Sequence, residues 1–248
     1  MFQNIGEMLI LFWKSILALP EAWHQRRKIS EQLVEVGNSS LLVALVMSFF
    51  IGAVFALYTG RELAQVGVVD LVGELVGISM SKELAPVMMA ILFAGRVGSS
   101  MTSEIGSMKI YQELDALHTM RIDPVVFLVM PRMVAICVAL PLVVLFSVFI
   151  GWGGGAFICA QDKLIGVNIM DFFHELSTNV ELRHVAHGLI KAWVFAAVIG
   201  TVSCHQGLTT IGGPRNIGRS VTKAVVNSLV LIIVLDFFVT RFLQNLHF

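Results

Sequence analysis

Charge is scarce in this sequence: 14% of the 248 residues are Asp, Glu, Lys or Arg, against about 25% in soluble domains. Hydrophobic residues make up 56% and the mean hydropathy is +0.83, more apolar surface than a water-soluble core can hide. No sign of charge dominates, since Lys plus Arg equals Asp plus Glu at 17 each. Nucleic-acid binding, which calls for a basic excess, is therefore not expected. Cysteine is limited to Cys137, Cys159 and Cys204, all in apolar stretches and without CxxC spacing. That excludes a disulfide framework and reads as small apolar packing residues. Motifs for metal hydrolysis, calcium binding and Ser-nucleophile catalysis (HExxH, EF-hand loop, nucleophile elbow) are missing. No cleavable signal peptide is expected either, because Glu7 and Lys14 interrupt the first apolar segment and no small-residue cleavage site follows it.

What is present is a series of long apolar runs, to be judged against the roughly 20 residues that cross a bilayer. Leu41–Thr59 carries no charge, and Leu84–Ser103 carries only Arg96, with Pro86 in its first turn. Met133–Ala160 is uncharged, holds Pro141 and ends in a glycine-rich stretch, and reads as one tilted or kinked span. Ala192–Gln206 and Ala224–Thr240, the latter interrupted by Asp236, supply the fourth and fifth. Ahead of them Ile5, Met8, Leu9, Phe12, Trp13, Ile16 and Leu17 recur at helical spacing. That segment is too polar to cross and is expected to lie in the interface, followed by a polar helix over Glu21–Val36. The expected fold is an all-α integral membrane protein of about five transmembrane helices preceded by an N-terminal amphipathic interfacial helix. It forms one domain, with residues 1–37 as the interfacial segment and 38–248 as the five-span bundle.

The cations set an orientation, because Lys and Arg accumulate in short cytoplasmic segments. Lys14, Arg26, Arg27 and Lys28 precede the first span, and Arg96, Lys109, Arg121 and Arg132 run from the end of the second to the start of the third. Arg215, Arg219 and Lys223 open the fifth. Eleven of the seventeen cations thus fall on one side, which places the amino terminus in the cytoplasm and the carboxyl terminus outside.

Two patterns resemble functional motifs and are read otherwise. Gly213 through Ser220 fits the outline of a phosphate loop, but Arg219 stands where lysine is needed and no strand precedes it. It is expected to be a turn opening the fifth span, so no ATPase motif is assigned. Glu181, His184 and His187 step by three, a spacing that drifts around a helix, and they are read as polar residues at a span entrance rather than a metal site.

The informative block is SKELAPVMMAILFAGRVGSSMTSEIGSMKIYQELDALHTMRIDPVVFLVMPR, Ser81–Arg132. Ala94, Gly95, Gly98, Ser99 and Ser100 permit close helix approach. The stretch Glu104–Met120, with Ser103 as cap and Asp123-Pro124 as stop, is predicted to be a short helix. Ile105, Met108, Leu114, Leu117 and Met120 form its apolar side, and a helix tied to two spans suits force transmission to a partner.

The runs KELAPVMMAILFAGRVGSSMTSEIGSMK and ELDALHTMRIDPVVFLVMPR resemble the signature of the MlaE (YrbE) permease family of MCE-type lipid transport systems, and GRSVTKAVVNSLVLIIVLDF is similar to that family's closing segment. The resemblance implies the permease subunit of an ABC transporter, with no catalytic residues and no cofactor of its own, ATP being bound by a separate cassette ATPase. It implies a homodimer in a Gram-negative inner membrane, a periplasmic MCE-domain ring protein and a STAS-domain protein as partners, and phospholipid as substrate, moved so as to maintain outer-membrane asymmetry. It also implies that the ATPase docks on the segment from 104 to about 123, which makes Glu104, Met108, Glu113, Leu114, Asp115 and Leu117 the expected coupling residues.

For substrate, Lys82 and Glu83 are singled out, since ionisable groups at membrane depth are costly unless paired or used and the resemblance puts a lipid chamber at this level. Phe55, Tyr58 and Leu63 are the expected neighbours of the acyl chains, aromatics favouring this depth. Asp236 is expected to pair with Lys82 or Arg241. The alternative is a proton-coupled secondary transporter or another membrane protein without an ATPase, but no internal repeat is visible and only Asp236 lies at mid-span.

Overall fold

The computed structural model describes residues 2–245, and the side chains within it apart from those of residues 2–5, 22–24, 38 and 39. The side chain of Ile5, part of the amphipathic pattern, and the whole of Phe248 fall outside what is described. Among the described residues there are helices and turns and no strand. Five helical runs are long and apolar enough to cross a membrane: span one Arg26–Val66, span two Val69–Ile110, span three Val125–Gln161, span four Leu182–Leu208 and span five Arg215–Asn245.

Every span starts earlier or ends later than its apolar run. The polar helix expected over Glu21–Val36 starts at Arg26, Glu21–Gln25 lying in a separate 3-10 stretch, and from there it is continuous with the span expected over Leu41–Thr59; at 1.5 Å per residue this helix is about 60 Å long, twice a hydrocarbon core of about 30 Å. The amino-terminal helix Phe2–Leu17 has two apolar faces. Leu11 is buried in a cluster with Ile105, Val129, Met133 and Cys204, with Phe12 packed against it, while Leu9, Ile10, Trp13 and Leu17 stay exposed. The helix Ile169–Asn179, with Phe172 and Leu176 buried, was not anticipated.

Spans two and three contain wide turns whose origin is local. Proline has no N–H and crowds the carbonyl four residues back. At Met80–Leu84, just before Pro86, the Ala85 N–H reaches the Met80 carbonyl instead, five residues back; at Val125–Val129, before Pro131, the Met130 N–H reaches Val125 in the same way. Such bulges often mark functional positions. A third lies at Ala94–Gly98.

The chain divides into two compact units, and all five spans contribute to both. The first comprises Met1–Ser40, Ala90–Leu140 and Trp193–Phe237. Part of its core is the cluster around Ile105, and the Thr102 hydroxyl lies 2.8 Å from the Gly98 carbonyl and 3.1 Å from that of Ser203. The second comprises Leu41–Met89, Pro141–Ala192 and the stretch from Phe238. There spans one and three touch backbone to backbone: a Cβ at Gly52 would strike the Gly151 carbonyl and one at Gly154 the Phe49 carbonyl. The Ser48 hydroxyl donates to the Ser147 carbonyl and the Trp152 indole to the Gly77 carbonyl. Lipid is as apolar as leucine, so close contact through small residues is what holds such helices together.

Candidate functional site

Within the second unit, the wide turn Met80–Leu84 carries Lys82 and Glu83. Span two begins at Val69, so these residues lie well inside the helical run and not at its start, as the hydropathy had suggested. Gly188 of span four backs against the Ser81 carbonyl and the Pro86 ring, and one turn further on Lys191 is fully buried, at 0% exposure. Its ammonium lies 2.5 Å from Glu83 Oε2. Thr240 of span five donates to Glu83 Oε1 at 3.3 Å. The Glu83 side chain is 41% exposed: one carboxylate is held by spans four and five while its edge remains accessible.

Lys82 is half-buried and makes no ion pair among the described residues. It stands within electrostatic reach of His184, as do Glu74, Glu181 and Arg183. Of the lipid-facing residues expected from sequence, Tyr58 is 70% exposed, and Phe55 and Leu63 are half-buried on the same unit. Lys191 is the residue that sequence reasoning missed, because the fourth span was expected to begin one residue later, at Ala192. The signal was there: Val185, Ala186, Leu189 and Ile190 continue the helical periodicity back from Ala192. Among the described residues no group of three His, Cys, Asp or Glu side chains is placed to hold a metal ion.

The expected coupling helix is two helices. Span two runs on to Ile110, so Glu104 and Met108 belong to its tail, and a separate short helix, Glu113–Thr119, carries Glu113, Leu114, Asp115 and Leu117. Between them Gln112 adopts a left-handed conformation, φ 61°, which breaks the helix in a way residue type does not announce. Ser103 therefore caps nothing, and Asp123 accepts the Val125 N–H at 2.8 Å, opening span three instead of closing the helix before it. Leu114 is buried, Met108 and Leu117 are half-buried and Glu113 and Asp115 are exposed; Met120, placed on the apolar side from sequence, is exposed as well. Lys109 lies 3.4 Å from Asp115 across the break. Glu104 pairs with the buried Arg132 at 2.9 Å and accepts the Ser100 hydroxyl.

Comparison with known proteins gives a consistent answer. The family model described as Permease MlaE matches residues 29–242. A protein of Synechocystis sp. named "Probable ABC transporter permease protein" is 36% identical, over 96% of this chain and 90% of its own length. One of the same name from Rickettsia typhi is 35% identical, over 97% and 92%. The chloroplastic protein TRIGALACTOSYLDIACYLGLYCEROL 1 of Arabidopsis thaliana is 34% identical over 87% of this chain, which spans 61% of the plant protein.

Proposed function

Because the chain belongs to the MlaE permease family and is a multi-pass membrane protein of ABC-permease type, we propose that it is the phospholipid-moving permease of an inner-membrane transporter, working as a homodimer with a separate cassette ATPase. Lipid passes between the membrane and a periplasmic MCE-domain ring protein, with a STAS-domain protein as a further subunit, and the traffic maintains outer-membrane asymmetry. The chain supplies no catalytic group, and ATP is hydrolysed by the partner.

The observation that carries this reading is the polar centre at Glu83. A buried lysine paired with a half-exposed glutamate deep in helices of this hydropathy is expensive and marks a substrate path by default. Lys82, beside it and without an ion pair among the described residues, is suited to a lipid phosphate. Glu83 itself is engaged by Lys191 and Thr240, so its part is to hold the centre's shape and polarity. The plant relative bears the name of a diacylglycerol lipid, which agrees with a glycerolipid substrate. The half-buried Phe55 and Leu63 and the exposed Tyr58 are the residues assigned to the acyl chains.

In the assembled complex, photo-crosslinkers at Phe55, Leu63, Lys82 and Glu83 are expected to capture labelled phospholipid, and one at Arg215 is not. Equal capture at all five positions would mean ordinary annular lipid and would overturn the assignment. Purification of the native complex tests the rest, through stoichiometric recovery of the ATPase.

A further inference from the structure

A second charged centre lies in the first unit, apart from Glu83. A cavity of about 280 Å³ is lined by Lys28, Glu31 and Gln32 of span one and by Phe127, Pro131 and Arg132 of span three. Arg132 is 6% exposed. Glu104 accounts for its Nη2 alone, and Nε and Nη1 are buried without an acceptor among the described residues. Lys28 holds its ammonium 2.9 Å from the Phe127 ring centroid. The one carboxylate in the lining, Glu31, pairs with exposed Arg27 at 3.1 Å.

A buried guanidinium with two unmet donors is costly, each unsatisfied group being worth about 1–3 kcal/mol and more when charged. An anion with several oxygens would offset that cost, and in this cavity, which Arg132 and Lys28 both line, it would meet a second cation. We propose that Arg132 and Lys28 form a binding site for a phosphate group, distinct from the Glu83 centre. The surroundings favour a membrane source for it. The amino-terminal helix packs on the turn Val125–Val129 that carries Phe127, and its exposed Leu9, Trp13 and Leu17 match residues that sit at headgroup level. The Arg132–Glu104 pair joins the site to the tail of span two, where the segment expected to couple to the ATPase begins.

The test uses the full chain with two probes: phosphatidylglycerol in phosphatidylcholine nanodiscs, with retained lipid counted by native mass spectrometry, and radiolabelled inorganic phosphate in equilibrium dialysis. Lys28→Gln and Arg132→Gln are each expected to weaken binding roughly tenfold, the worth of one charge-assisted hydrogen bond. Lys14→Gln, which changes an exposed cation of the amino-terminal helix outside the cavity lining, is expected to leave it unchanged. A loss confined to lipid retention identifies a headgroup, and a loss confined to dialysis identifies free phosphate. Arg132→Gln leaves Glu104 without its partner and risks misfolding, whereas Lys28→Gln keeps that ion pair and decides the matter. If neither probe weakens by more than twofold in Lys28→Gln, or if Lys14→Gln matches it, the site does not exist. Lipid capture at Lys82 is measured in the same variants and does not depend on the outcome.

Discussion

At the scale of single residues, the Glu83–Lys191 pair separates stability from transport. Removing one partner of a buried ion pair strands the other and costs about 3–5 kcal/mol, whereas replacing both by apolar residues of similar size is often neutral. Lys191→Met alone is therefore expected to lower the melting temperature of the purified protein sharply. The double variant Lys191→Met with Glu83→Leu is expected to recover most of that stability while phospholipid capture at Lys82 stays impaired. A double variant that transports normally would show the pair to be structural only. A different pair, Arg61 near the end of span one and Asp162 just past span three, sets a pH dependence. The Leu164 N–H, and after it the Arg61 guanidinium, hold the Asp162 carboxyl below its ordinary value of 3.8. A carboxylate depressed in this way contributes above the unfolded value, and its contribution is lost as pH falls through the folded one. The difference in melting temperature between wild type and Asp162→Asn is thus expected to be constant from neutral pH down to about 4 and to close below it. Lys82 and Glu83 were legible in the sequence because charge stands out in an apolar run. Lys191 and Arg132 were not, since each lies where a hydropathy profile turns polar, and only the packing shows them buried.

At the scale of elements, sequence finds the hydrocarbon-facing part of a helix and misses the rest. Hydropathy responds to lipid contact, so it located the apolar middle of span one and cut it away from Arg26–Ser40, which continues the same backbone hydrogen bonding in polar residues. The short helix Ile169–Asn179 was overlooked for the opposite reason: its apolar residues Ile169, Phe172, Phe173 and Leu176 have helical spacing but are too few to register as a span. The break at Gln112 depends on one dihedral angle, which glutamine does not signal. Glycine tolerates that angle where a side chain pays for it, so Gln112→Gly is expected to leave the coupling segment intact. Gln112→Val is expected to lower stability by about 1 kcal/mol or more. With the break preserved, Glu113 and Asp115 stay exposed on a rigid platform over buried Leu114. Reversing both to Lys is expected to reduce ATPase recovery in co-purification at least tenfold if they meet cations in the partner. Unchanged recovery would make this surface a solvated loop. In the second unit, Gly52→Val is expected to cost about 1–3 kcal/mol, because spans one and three have no room to give where their backbones touch.

At the scale of the whole molecule, charge and compactness divide the chain at the same places. The eleven cations assigned to one side from sequence, Lys14 through Lys223, all belong to the first unit, and the other six, Arg61, Lys82, Lys163, Arg183, Lys191 and Arg241, all belong to the second. The eleven cations thus share one compact unit, which is the segregation that the positive-inside rule requires. It yields a topological prediction. Single cysteines near Lys28, Tyr111 and Arg215 are expected to resist a membrane-impermeant thiol reagent applied from the periplasmic side, and one near Asp171 is expected to react. Tyr111 and Asp171 are both exposed, so a failure to label at Tyr111 reports the membrane and not burial in the protein. Five crossings further require that the two ends of the chain differ, so a cysteine near Gln244 is expected to label and one near Lys14 is not. The reverse pattern would invert the orientation. Labelling at both ends or at neither would mean an even number of crossings, and the five-span reading would fail with it.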